Sequence, residues 1–323
     1  MKAVVISKYG TPDDLKLRDI DKPTPQEGQV LIKTKAVSIN ASDIETLRGN
    51  PAYVRLFGGF FKPNTKILGS DIAGVVESVG PKVTQFKPGD ELFGDIFWKG
   101  SGGLAEYVLA PVENLIHKPI NMSFAQAAAL PQAGVLALQA FRDYKKLEPS
   151  HKVLINGAGG GMGTFALQMA KRHGVEVTGV DSNDKFDLMN ALGADRVLDF
   201  RKTNYTKMGH KYDFIVDAIA HRSYFSYRRA LKPDGEFLMV GGGSNSLIQV
   251  GLMGPQLSRV GSKKIGLLRW RPNTEDLHVL CDLFKQNQVV PIIDRCFSFS
   301  ETSRAFSYFG KSLAKGKIVI TMR

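Results

Sequence analysis

The chain has 323 residues, 43% of them hydrophobic and 23% charged, with two cysteines and a net charge of +12. Those values exclude a disordered chain and a small disulfide-stapled scaffold, and the length predicts two domains. The densest basic patch (Lys263, Lys264, Arg269, Arg271) carries no helix-turn-helix, zinc-finger or RNA-binding signature, so the charge is assigned to general surface and to the phosphates of a cofactor.

Through about Pro119 the pattern is one of strands and turns. Val30 to Asn40 and Ala73 to Val79 carry alternating apolar residues, and Pro12-Asp13, Pro88-Gly89-Asp90 and Gly102-Gly103 mark turns. Met1 runs straight into a strand-like KAVVIS, so no secretory signal is expected. Ser123 and Gln126 make a capping box before an alanine-rich helix. The uncharged stretch Ser123 to Phe141 is interrupted by Pro131 and glutamines and reads as a packed helix pair, not a membrane span.

From Val153 the texture alternates. Strands are predicted at Val153–Ile155, Val175–Val180, Arg196–Leu198, Phe214–Asp217 and Phe237–Val240, with helices between them, which implies a parallel sheet. A helix (Thr274 to Gln288) and a strand (Lys317 to Met322) close the pattern. Cys281, on a helical face with Leu277, Leu280 and Phe284, and Cys296, in a strand-like CFSF, are expected to be buried free thiols of a reducing, cytoplasmic compartment.

The strongest signal is VLINGAGGGMGTFALQMAKRHGVEVTGVD, Val153 to Asp181. Strand, glycine turn, helix, strand and terminal acid fall in the register of a dinucleotide-binding βαβ unit. The fingerprint is Ala158-x-Gly160-x-x-Gly163, with alanine at its first position. Gly157, Ala158, Gly160, Gly161, Met162 and Gly163 are the candidate pyrophosphate cradle, because backbone N–H groups at a helix start can point at phosphate. Asp181 is placed to accept hydrogen bonds from the adenosine ribose, which favours NAD(H).

The chain resembles the medium-chain dehydrogenase/reductase superfamily, in its zinc-independent quinone oxidoreductase branch. The likeness spans the whole length through NASDIETLRG (40–49), ILGSDIAGVVESVG (67–80), FKPGDELFG (86–94), GGLAEYV (102–108), AAALPQAGVLALQAF (127–141), the nucleotide fingerprint, LGADRVLDF (192–200) and GKIVI (316–320). It implies an α/β protein with a GroES-like β-rich catalytic domain (1–120), a Rossmann domain with a doubly wound parallel sheet (121–270), and a C-terminal return to the catalytic domain (271–323).

Zinc-binding relatives would use two cysteines and a histidine. The corresponding positions hold Asn40, Ser70 and the neighbourhood of Gln132 or Ala133, so no metal is expected. The resemblance makes Asn40 the active-site amide that stabilises charge on an acceptor oxygen; a turn-capping asparagine is the structural alternative. Glu45, the second candidate catalytic residue, stands where several relatives carry a tyrosine, and Leu136 where a threonine is usual. Tyr53, Phe57, Phe60, Phe61 and Trp98 are either an aromatic wall for a flat acceptor or loop packing. Lys185 occupies the position of a phosphate-binding lysine of NADPH-dependent relatives, with Arg201 available to assist; Ser182, Gly241, Gly242 and Lys317 complete the expected cofactor set. Asp181 and the resemblance point in opposite directions, so the cofactor is written NAD(P)H. The expected partners are a small carbonyl or quinone substrate and a second copy of the chain, with neither membrane nor nucleic acid. Reduction of quinones or enones is the leading function; an enoyl-thioester reductase and a non-catalytic dinucleotide-sensing protein are the alternatives.

Overall fold

The computed structural model describes residues 1–322, and the chain divides into two units. The first opens with an antiparallel ribbon, β1 (Lys2–Val5) against β2 (Lys16–Asp19). The long apolar run that follows is β3 (Gln29–Ile39), and then come α1 (Ala41–Arg48) and α2 (Ala52–Gly58). Next are β4 (Asp71–Val79), β5 (Glu91–Asp95), β6 (Tyr107–Pro111), β7 (Leu115–His117) and α3 (Phe124–Ala129). Ser123 and Gln126 form the expected capping box of α3.

The second unit covers Gly134–Arg271 and Gln286–Ile292. After α4 (Pro131–Asp143), strands and helices alternate: β8 (Lys152–Asn156), α5 (Gly161–Lys171), β9 (Glu176–Asp181), α6 (Phe186–Ala191) and β10 (Arg196–Asp199). They continue as β11 (Tyr212–Asp217), α7 (Tyr224–Ala230), β12 (Leu231–Met239), α8 (Ser244–Leu257) and β13 (Lys264–Leu267). All six strands are parallel, in the order β10-β9-β8-β11-β12-β13. The order reverses between β8 and β11, and a doubly wound sheet binds its ligand at such a point.

The chain then returns to the first unit with α9 (Thr274–Lys285), β14 (Ile293–Ser298), α10 (Thr302–Gly310) and β15 (Lys317–Thr321). The resulting sheet has the order β14-β15-β3-β4-β5-β7, with β6 also on β3. Its core gathers Ile32, Val37, Ile72 and Leu92 from the early strands with Phe306 and Ile318 from the late ones.

Three details differ from the sequence reading. The first unit reaches Ala133 instead of ending at 120, because Ala127, Ala128 and Ala129 are fully buried where α3 packs on β3 and β4. The last long helix stops at Lys285, since Asn287 takes a left-handed φ of 54°. Cys281 is buried but Cys296 is exposed: β14 is an edge strand, and alternation sends Phe297 inward and Cys296 outward. Among the described residues no helix is long and apolar enough to cross a membrane.

Candidate active site

In the second unit, β8 ends at Asn156 and Gly157 turns the chain with a φ of +83°. Gly160 is the N-cap of α5 and supplies no side-chain cap. The N–H groups of Gly161, Met162 and Gly163 therefore start a helix with no acceptor inside it, which is the donor set an anion requires. A Cβ on Gly163 would lie 2.0 Å from the Gly157 carbonyl oxygen, so only glycine lets α5 close on the turn. A Cβ on Gly160 would meet only that same oxygen, at 3.3 Å, and otherwise enters open space above the turn. This cradle fits a pyrophosphate. It lies at the switch point, with Gly157 facing Ala218 just beyond β11.

Asp181 does not point away from its own turn. Its Oδ2 accepts the Gly159 N–H at 3.0 Å, and its Oδ1 accepts the Ser182 N–H at 2.8 Å and pairs with Lys185 Nζ at 3.1 Å. Both side chains are buried. The two residues expected to compete over cofactor choice are thus each other's counter-ion. Gly242 bridges to Ala220, and Val240 and Gly241 donate to the Asp217 carbonyl, so both expected glycines sit at the carboxyl ends of β11 and β12. Sequence reasoning missed the Asp217 side chain. It is buried, accepts from Asn156 Nδ2 (2.8 Å), the Ile219 N–H (3.0 Å) and the Tyr205 hydroxyl (3.1 Å), and burial pushes it up to about 6. Its signal was available: like Asp181, it is an acid that ends a parallel strand.

The first unit builds a different cluster from sheet register. Ile318 of β15 lies opposite Ile39 of β3, Ser38 opposite Asp71 of β4, and Asp71 opposite Asp95 of β5. Lys317, Asn40, Asp71 and Asp95 consequently form a row across one end of four neighbouring strands. Lys317 Nζ donates to Asn40 Oδ1 at 2.5 Å, and Asn40 Nδ2 donates to Asp71 Oδ2 at 2.9 Å. The ammonium lies 3.8 Å from the same Asp71 oxygen. Asp43, in the first turn of α1, accepts the Asn40 N–H at 2.9 Å and the Gly69 N–H at 2.8 Å. Asn40 is the N-cap residue of α1 and shares a capping box with Asp43, and its side-chain amide also reaches Lys317 and Asp71.

Burial governs the charges here. It pushes Asp43 and Asp95 up to about 6 and raises Asp71 well above the ordinary carboxylate range, with the charge of Asp95 adding to the effect. It also lowers Lys317, against the pull of Asp71, Asp43 and Asp95. Lys317, expected in the cofactor set, has its ammonium in this cluster of the first unit.

The three positions that the sequence resemblance matched to zinc ligands, Asn40, Ser70 and Gln132, are tied to Asp71 or left unpaired. The Gln132 N–H donates to both Asp71 oxygens at 3.2 Å, and Gln132 Oε1 accepts from Ser42 Oγ at 3.1 Å. Ser70 Oγ and Gln132 Nε2 are buried without a hydrogen-bond partner. Two amides and a hydroxyl do not make a zinc site, which calls for thiolate, imidazole or carboxylate. Among the described residues no group of three or more His, Cys, Asp or Glu side chains is placed to hold a metal ion. Glu45 stands apart from the cluster. Its Oε2 accepts the Tyr53 hydroxyl at 3.3 Å; burial raises Glu45 and pushes Tyr53 up to about 12. Phe57, Phe60, Phe61 and Trp98 are exposed.

Comparison with known proteins adds four findings. Residues 26–120 match the alcohol dehydrogenase GroES-like domain and residues 192–320 the zinc-binding dehydrogenase domain. The chain is 31% identical to the chloroplastic quinone-oxidoreductase QR1 of Triphysaria versicolor, over 99% of this chain and 98% of that protein. It is 33% identical to the chloroplastic NADPH-dependent alkenal/one oxidoreductase of Arabidopsis thaliana, over 99% and 79% of the two. The solved quinone oxidoreductase of Coxiella burnetii matches with a TM-score of 0.89 at 29% identity, covering 100% of this chain and 99% of that one.

Proposed function

The chain belongs to the quinone oxidoreductase-like branch of the medium-chain dehydrogenase/reductase superfamily, and from that premise we propose that it reduces quinones, enones and related α,β-unsaturated carbonyls with NAD(P)H. The single observation that carries the reading is the Asn40 amide, held by a buried ammonium on one side and a buried carboxylate on the other, at a position where zinc-binding relatives place a metal ligand. When bound, the reduced nicotinamide supplies the hydride. Asn40 Nδ2 then offers a hydrogen bond to the acceptor oxygen as that oxygen gains negative charge, and this stabilisation needs no metal. The first-turn N–H groups of α5 hold the pyrophosphate. The Asp181–Lys185 pair presents a balanced charge where the adenosine 2′ position would lie, so a 2′-phosphate meets little net repulsion and NADPH is accepted.

The reading is tested by mixing the purified protein with NADPH or NADH and, separately, a small quinone, a small enone and an enoyl-CoA. Cofactor oxidation with the quinone or enone is expected. Turnover confined to the enoyl-CoA would move the assignment to thioester reduction, and cofactor binding without any turnover would make the chain a dinucleotide-binding protein. Elemental analysis is expected to show no stoichiometric zinc; about one zinc per chain overturns the zinc-free mechanism. We further propose a homodimer, to be checked by sedimentation, and a cytoplasmic location, to be checked by fractionation.

A further inference from the structure

We infer that Lys317 and Asp71 are positioning residues that fix the flip of the Asn40 amide, converting a group able to donate or accept into a dedicated donor. The inference rests on the reading of Asn40 given above and extends it to residues that touch neither substrate nor cofactor. A primary amide carries one acceptor oxygen and two N–H donors, and a half-turn about its last bond exchanges them. In the observed flip, Oδ1 faces the Lys317 ammonium at 2.5 Å and Nδ2 faces the Asp71 carboxylate at 2.9 Å. The opposite flip would set an NH2 group against the ammonium and a carbonyl oxygen against the carboxylate, and both contacts would be repulsive. All three side chains are buried, so water cannot soften the choice.

With Oδ1 and one N–H engaged, the amide keeps a second N–H for which the described residues supply no acceptor. A donor is what an acceptor oxygen requires as it becomes negative. The ammonium on Oδ1 also draws electron density through the amide and strengthens the remaining N–H. Sheet register makes the arrangement rigid: Lys317 and Asn40 sit side by side because β15 pairs with β3, and Asp71 starts the strand on the other side of β3. A cofactor-binding role for Lys317 predicts something different, which makes the two separable.

The test is a cycle of four proteins: wild type, Asn40→Ala, Lys317→Met and the double variant Asn40→Ala/Lys317→Met. Lys317→Met is expected to lower kcat for a small quinone by about ten- to a hundred-fold, with the dinucleotide Kd unchanged. On the Asn40→Ala background the same change is expected to do nothing more to kcat. Losses that multiply would show that Lys317 acts independently of Asn40 and overturn the clamp. A weakened dinucleotide Kd with intact kcat would overturn it too, returning Lys317 to the cofactor set. If Lys317→Met does not fold, Lys317→Met/Asp71→Asn takes its place, because it removes one charge of each sign. A second readout works whether or not the wild type turns over any acceptor, and so separates failure of the clamp from failure of the reductase reading. The side-chain amide resonances of Asn40 are expected to shift and broaden in Lys317→Met, as the flip is released; unchanged resonances overturn the inference.

Discussion

Lys185 in the second unit and Lys317 in the first are both buried near a carboxylate, and the two live under different electrostatic conditions. Lys185 and Asp181 are four residues apart and form an ion pair at 3.1 Å, one ammonium for one carboxylate. Lys317 meets an amide oxygen at 2.5 Å, reaches the nearest carboxylate oxygen only at 3.8 Å, and feels three buried aspartates. The pair in the second unit is balanced, so mutual attraction offsets much of the desolvation of each charge. The set in the first unit holds more acid than base, and burial raises its aspartates above the ordinary carboxylate range. A buried lysine can thus serve two ends. It balances one carboxylate beside the glycine turn of the second unit, and it faces the oxygen of a neutral amide in the first.

The largest expected effect tests the second unit alone. Gly160→Val should abolish detectable dinucleotide binding by calorimetry while leaving the unit folded, since its Cβ meets only one backbone oxygen, at 3.3 Å. Gly163→Val should disturb the turn itself, where the clash is 2.0 Å. Full affinity in Gly160→Val would mean that the cradle lies elsewhere. Next, Asn40→Ala should lower kcat by about a hundred-fold and leave cofactor Kd alone, the signature of a group needed mainly in the transition state. Were Kd to rise instead, the division of labour between the units would collapse. A smaller change should follow from unbalancing the ion pair. Asp181→Ser frees Lys185, and the ratio of NADPH to NADH specificity constants should rise by roughly ten-fold or more, the equivalent of about 1–3 kcal/mol. An unmoved ratio would show that the pair does not face the 2′ position.

The smallest effect concerns pH. Asp43 and Asp95 in the first unit and Asp217 in the second are all pushed up to about 6 by burial. Between the ordinary carboxylate range and about 6, the folded chain keeps protons that the unfolded chain has released. Stability is therefore lost as pH rises through that window and regained as it falls. Thermal melting should come a few degrees lower at about pH 7 than at about pH 5. Asp217→Asn should remove only the share of the second unit, so a transition assigned to the first unit should keep its pH dependence.

The second unit's glycine turn and helix start were legible because they are local: the turn, Asp181 and Lys185 fall within 29 consecutive residues, and helix and strand periods fix their order. The direction of the Asp181 side chain was not, since spacing places a carboxylate at a strand end without saying whether it faces a ligand or its own turn. In the first unit the motif at residues 40–49 located Asn40, but its partners depend on which strands pair and in what register. Lys317 was expected among the cofactor ligands because its motif carries no record of the strand beside it. Cys296 failed similarly: an apolar run reads the same in an edge strand and in a central one.

The pairing of β15 with β3 also sets a timetable. Lys317 follows Asn40 by 277 residues. At roughly 5–20 residues per second of synthesis, about fifteen to fifty-five seconds separate the two on a ribosome. During that interval the whole of Gly134–Arg271 has been made, while Ala36–Ile39 of β3 wait with one edge unpaired and Asn40 has its carboxylate but not its ammonium. The glycine turn and α5 can form on the nascent chain well before the Asn40 amide meets its ammonium partner. A half-made chain therefore carries the second unit's turn complete while the first unit's cluster still lacks Lys317, and the last strand to be made supplies it.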